Sequence, residues 1–199
     1  MGQRLVVTIQ KEGRDIAAIY YHWSAYTHTA LYETRKIINC IYNHLDETED
    51  QMLLKLIRFV EDDGGCIRGS EEEHKYIQSL YPDEEFKDEG SRNNGLIALS
   101  EDGIRDLHGW SEGDVYIQLD NDMVDFCVYS GYESLEEYLE ERKSWDDEFD
   151  EEKFKNIPKL DCCLGCFDVD EIVNIKMAQN EAKYPVDKAK GSCAKYTDL

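Results

Sequence analysis

From Val115 to Tyr129, apolar side chains recur at every second position on both sides of Asn121-Asp122. Val115, Ile117 and Leu119 lead in; Val124, Phe126 and Val128 lead out. A period of two puts these residues on one face of a strand, and the Asn-Asp pair is turn chemistry. This is a β-hairpin with one buried face. A second hairpin opens the chain. Leu5, Val7 and Ile9 alternate with Val6 and Thr8, Gly13 sits in the turn Lys11–Asp15, and Ile16 to Tyr21 returns.

Helical spacing fills the interval between the hairpins. A helix is expected over Ala30–Leu45, capped by Thr27 or Thr29, with Ile37, Ile38, Ile41, Tyr42 and Leu45 as its stripe. Thr48-Glu49-Asp50-Gln51 has capping-box spacing. It opens a second helix with Met52, Leu53, Leu56, Ile57 and Val60 on one face. Ser70-Glu71-Glu72-Glu73 starts a third helix that runs to Leu80, and Ser134-Leu135-Glu136-Glu137 starts a fourth. Residues 82–95 read as a surface loop, Gly95–Ser100 as a short strand and Asp102-Gly103 as a turn. The expected fold is α+β: an antiparallel sheet of about five strands, two hairpins among them, with about four helices mainly on one face. Residues 1–177 form one domain, followed by a polar, weakly ordered tail over 178–199.

Charge narrows the function classes. The net charge is −22, and residues 46–153 hold 34 acidic against 10 basic side chains. Such a field repels nucleic acid and anionic membrane and attracts basic proteins. No secretory or membrane-spanning run is present, and Val6 breaks the myristoylation pattern. Seven cysteines without an export signal fit reduced thiols in a cytosol. Cys162, Cys163 and Cys166 include a zinc-compatible two-residue spacing, and Cys193 could add a ligand. A second closely spaced pair is missing, so no cofactor is expected.

Two stretches stand out as candidate sites. Tyr20, His22, Trp23, Ser24, Tyr26, Thr27 and His28 crowd rings, imidazoles and hydroxyls together at a strand end. There they could stack on and hydrogen-bond a small ligand, with Arg4, Arg14, Arg35 and Lys36 offsetting phosphate charge. Glu136, Glu137, Glu140, Glu141, Trp145, Asp146, Asp147, Glu148 and Phe149 combine acid with aromatic residues, as a docking surface for a basic partner would. The acids near Asp120, Asp122 and Asp125 lack the calcium-loop pattern. His44, His74 and His108 stand alone, and no nucleophile or phosphate-loop motif is present.

Met1-Gly2-Gln3-Arg4 with the opening hairpin, followed by Tyr20-Tyr21-His22-Trp23-Ser24-Ala25-Tyr26-Thr27, resembles small uncharacterised proteins of bacteriophages and prophages of Gram-positive bacteria. The resemblance covers about the first fifth of the chain and implies a phage accessory protein in the bacterial cytosol, where counter-defence roles are common. The leading expectation is an acidic protein that inhibits a basic, nucleic-acid-binding host factor by mimicking nucleic acid, with no membrane or direct nucleic-acid binding of its own. The alternatives are a binder that sequesters a nucleotide-like signal through Tyr20–Thr29, and an enzyme using His22 or His28 beside a carboxylate.

Overall fold

The computed structural model describes residues 3–25, 27–128 and 164–173. Among these the fold is α+β, with a mixed seven-stranded sheet and five helices. The opening hairpin is β1 (Leu5–Lys11) and β2 (Arg14–Tyr21). Then follow α1 (Thr27–Tyr42), α2 (Glu49–Asp62), β3 (Cys66–Ile67), α3 (Glu71–Leu80), β4 (Leu96–Ala98) and α4 (Glu101–His108). The second hairpin is β5 (Gly113–Gln118) and β6 (Met123–Val128); β7 (Leu164–Asp168) and α5 (Val169–Val173) complete the order.

The strands lie in the order β3-β4-β2-β1-β5-β6-β7. Both expected hairpins form, but the sheet is not antiparallel throughout and has more than five strands. β1 pairs with β5 in parallel, Val7 opposite Val115, and β3 pairs with β4 in parallel. A parallel pair needs a crossover, and the long run of helices between β2 and β5 supplies the one that seats β5 beside β1. Neither β3 nor β7 was expected. Both are edge strands, two and five residues long, too short for periodicity to declare.

The alternation divides the sheet's side chains as read. Leu5, Val7, Ile9, Ile19, Val115, Ile117, Val124, Phe126 and Val128 bury against α1, α2 and α5 in one large cluster. Val6, Ala18, Tyr20, Leu96 and Ala98 face the other way and are covered by Ile104 and Leu107 of α4. One helix therefore packs on the second face, and this helix replaces the turn expected at Asp102-Gly103. Eight residues give too little periodicity to announce it, and Gly103 reads as a breaker until its surroundings are seen.

Those surroundings belong to Glu73. Ser70 Oγ accepts from Glu73 N–H at 3.1 Å and caps α3 as the spacing foretells. The Glu73 side chain does not return to that cap. It turns inward, 1 % exposed, and accepts N–H bonds from Leu99 (2.7 Å) and Ser100 (3.1 Å) and the Ser100 hydroxyl. Ser100 in turn caps α4 by accepting from Gly103 N–H at 3.0 Å. A Cβ on residue 103 would lie 2.1 Å from Glu73 Oε2, which is why glycine stands there.

α1 begins three residues before its expected start, so Thr29 lies within its first turn and donates to Ser24 O at 3.0 Å instead of capping. The helix is buried nearly all round, including Lys36, whose Nζ lies 2.7 Å from Glu33 and 2.6 Å from Asp63. Burial opposes the Lys36 charge, but the two carboxylates outweigh it and push the ammonium up. Burial raises the Glu33 carboxyl against the pull of Lys36. Thr48 and Gln51 complete the expected capping box of α2.

Tyr26, the helix expected from Ser134, the acidic candidates between Glu136 and Phe149, Cys162, Cys163, Cys193 and the tail lie outside the described residues. Among the described residues no helix is long and apolar enough to cross a membrane.

Two stability outcomes follow. Gly103→Ala should cost about 2 kcal/mol through overpacking against Glu73, read as a lower urea midpoint. Gly69→Ala, with no atom within 4 Å of the new Cβ, should cost far less. Lys36→Met should cost about 3 kcal/mol at neutral pH by stranding buried carboxylates. Because Glu33 has a raised pKa when folded, part of that loss should return as pH falls through it. Urea unfolding across pH checks the sign, and Glu33→Gln in the same background should restore stability without acid.

Candidate functional site

Within the stretch Tyr20–Thr29, β2 sends its last residues to opposite faces of the sheet. Tyr21 is 1 % exposed and belongs to the large core, whereas Tyr20 lies under α4. Ser24 is buried and offers its carbonyl to Thr29. Thr27 and His28 fall in the first turn of α1. Among the described side chains of the expected site, Tyr20, His22 and Trp23 lie together.

These three join a row of rings. Trp110, just beyond α4, meets Tyr20 edge-on with centroids 5.6 Å apart. Tyr20 and His22 are 6.2 Å apart, and His22 meets Trp23 edge-on at 5.1 Å. Tyr20 Oη lies 2.7 Å from His22 Nδ1. Burial pushes the Tyr20 phenol up against the opposing pull of Arg4 and Arg92, so the hydroxyl keeps its proton and can donate to Nδ1. The partner of His22 is thus a phenol and not the carboxylate that the enzyme reading expects. Trp110 is 39 % and Trp23 47 % exposed, so the two ends of the row face solvent.

Arginines gather round this row. The Arg68 guanidinium sits 5.7 Å from the Trp110 ring centre and binds Asp106 at 2.6 Å. Arg4 pairs with Glu112 at 3.1 Å; that hydrogen bond pushes the guanidinium up and the carboxyl down. The Arg92 carbonyl accepts from His22 N–H at 3.1 Å, which ties the loop after α3 to the end of β2. The Arg92 side chain makes no hydrogen bond or ion pair with the described residues.

Beside the row opens a pocket of ≈ 470 Å³, within the range of small-molecule sites. Trp110, Arg68, Arg92 and Ser70 line it, Cys66 forms part of its lining, and Asp88 and Glu89 stand among its walls. Burial, with Glu61 nearby, pushes the Cys66 thiol up, so it remains a neutral S–H and not a nucleophile. Close packing shapes this wall: a Cβ on Gly90 would meet the Gly65 backbone at 2.5 Å.

The cations proposed from sequence are redistributed. Arg4 lies at this corner, but Arg14 pairs with Glu49, Arg35 donates to the Val173 carbonyl and Lys36 is interior. Arg68, Arg92 and Trp110 take their place. They come from three separate segments, and the available hints were slight: Arg92 is the sole basic residue between Lys87 and Arg105, and Trp110 follows Gly109 without apolar company.

His108 is not the isolated residue it seemed. Its Nδ1 lies 2.9 Å from Asp114 and its Nε2 3.0 Å from Thr8 Oγ1, with Tyr116 stacked on the ring. A hydroxyl, imidazole and carboxylate in line invite comparison with a nucleophilic triad. Thr8 is 0 % exposed, however, so no substrate carbonyl reaches its oxygen, and the arrangement acts as a clamp between α4 and the sheet. Among the described residues no group of three or more His, Cys, Asp or Glu is placed to hold a metal, and Cys166 stands exposed on β7. The turn acids serve structure: Asp120 accepts from Glu12 N–H and Asp122 from the Tyr42 hydroxyl.

Comparison of the chain with protein-family models, curated proteins and solved structures finds no match, so the corner is interpreted from its own chemistry.

Arg92→Ala should leave stability within about 0.5 kcal/mol of the parent, because only the residue's backbone bonds to the fold. Arg68→Ala, which removes the Asp106 bond and the contact with Trp110, should cost about 1 kcal/mol. Urea unfolding of the two variants separates the arginine held by the fold from the one left for something else.

Proposed function

We propose that this protein binds and sequesters a small nucleotide-like molecule at the aromatic–arginine corner. A planar ring stacks on Trp110, and a phosphate group engages Arg92 and Arg68. The observation that carries this reading is the Arg92 guanidinium, which has no partner among the described residues and lines a pocket walled by a half-exposed indole. In a chain of net charge −22, most cations would be expected to meet carboxylates; Lys11, Arg14, Lys36, Arg58, Lys75 and Arg105 all do. A free arginine beside an exposed tryptophan suits recognition of an anion attached to a ring, since guanidinium matches phosphate geometry and indole offers a stacking face. Isothermal calorimetry with a panel of nucleotides tests it. Binding should be saturable and fall at least tenfold in Trp110→Ala and in Arg92→Ala; silence across the panel would falsify the reading.

One observation favours a second reading, inhibition of a basic host protein by nucleic-acid mimicry. Glu72, Asp83, Glu85 and Glu89, on α3 and the loop after it, are exposed and pair with no cation among the described residues. Carboxylates held free in this way can displace the anions of a partner's basic groove. A tagged pull-down from bacterial lysate, eluted with rising salt, should then release a nucleic-acid-handling protein that DNA or RNA competes away. A complex indifferent to salt and nucleic acid would end the mimicry argument.

A further inference from the structure

We infer that the ligand of this pocket is a phosphodiester of low charge, such as a cyclic nucleotide, and not a terminal monophosphate or a polyphosphate. The inference rests on the ligand-binding reading above and concerns which phosphate that site selects. Charge balance in the lining carries it. Arg68 and Arg92 bring two positive charges, and Asp88 and Glu89 bring two negative ones. Arg68 already shares its charge with Asp106 at 2.6 Å, and the whole chain adds a net −22 behind the site. The pocket is thus close to neutral and embedded in an acidic field.

Such a lining supplies directional donors without a surplus of positive potential. A diester carries one negative charge, which the unpartnered Arg92 can match through a guanidinium fork. A terminal monophosphate carries about −1.5 to −2 at neutral pH, and a triphosphate more. Each added charge finds Arg92 already matched by the first and Arg68 by Asp106, and is repelled by Asp88 and Glu89. Those two carboxylates are exposed, so water and salt weaken the repulsion without removing it at contact distance. The pocket volume of ≈ 470 Å³ accommodates a ring, a sugar and one phosphate. Trp110, backed edge-on by Tyr20, is the fixed platform for the ring.

The experiment is a charge series on a single base, by calorimetry on the full chain at fixed ionic strength: adenosine, 3′,5′-cyclic AMP, AMP, and ATP with and without magnesium. Cyclic AMP should bind at least tenfold more tightly than ATP and more tightly than AMP, and adenosine should be weakened about as much as cyclic AMP is in Arg92→Ala. In Asp88→Asn/Glu89→Gln, ATP should gain about tenfold while cyclic AMP changes less than threefold. A merely structural role for the two carboxylates would not produce that selective gain. ATP binding as tightly as cyclic AMP, in either magnesium condition, overturns the inference, as does adenosine matching cyclic AMP; both leave the ligand-binding reading standing. Failure of every compound overturns the ligand-binding reading, and this inference with it.

Discussion

The carboxylate of Glu73 is the contact on which the rest of the second face depends. It is buried, and a buried charge persists only when hydrogen bonds replace its water. Two backbone N–H groups and the Ser100 hydroxyl do so. In accepting them, Glu73 joins the start of α3, the end of β4 and the start of α4. The negative charge also lies where a helix N-terminus favours it. α4 is thereby fixed at its N-terminal end, and His108, gripped by Thr8 and Asp114, fixes the other. Trp110 follows within two residues and meets both Tyr20 and the Arg68 guanidinium. The Trp110 wall of the pocket is thus set by a carboxylate three residues beyond Ser70, which also lines it.

Elements with enough residues to repeat a period were legible in the sequence. The hairpins β1–β2 and β5–β6 were, and so was α2 with its cap, because each states its geometry locally. The parallel pairing of β1 with β5 was not, since a strand's pattern says which side is buried but not which strand lies beside it. α4 was hidden for another reason. Gly103 looks like a breaker in one dimension and is a clearance for Glu73 in three. The candidate site was half legible. Tyr20 and His22, two positions apart at the end of β2, do meet. Trp110, Arg68 and Arg92 come to them from distant segments, with no spacing to connect them.

The acidity of the chain also looks different once folded. Carboxylates are not only a solvated coat. Glu33 and Asp63 hold Lys36 inside, and Glu61 and Glu84 grip Arg58 from two sides. Acid in excess pairs with most of the described cations; Lys55 and Arg92 are left with neither an ion pair nor a side-chain hydrogen bond among the described residues, and of these Arg92 lines the pocket. The same excess keeps the surroundings of Arg92 unfavourable for highly charged anions. Specificity can therefore arise from the background field as well as from the groups that touch a ligand.

The parallel pairing of β1 with β5 has a consequence for how the chain is made. β1 acquires one neighbour from β2 across a short turn, but its other edge is completed by residues more than one hundred positions later. During synthesis the central strand emerges early and waits, half paired, while the helices of the crossover follow. Contacts so distant in sequence slow folding, and an unpaired central strand is a template for wrong partners. The helices that arrive in the interval can cover its large apolar face before the sheet is complete, so the order of elements along the chain is also an order of protection.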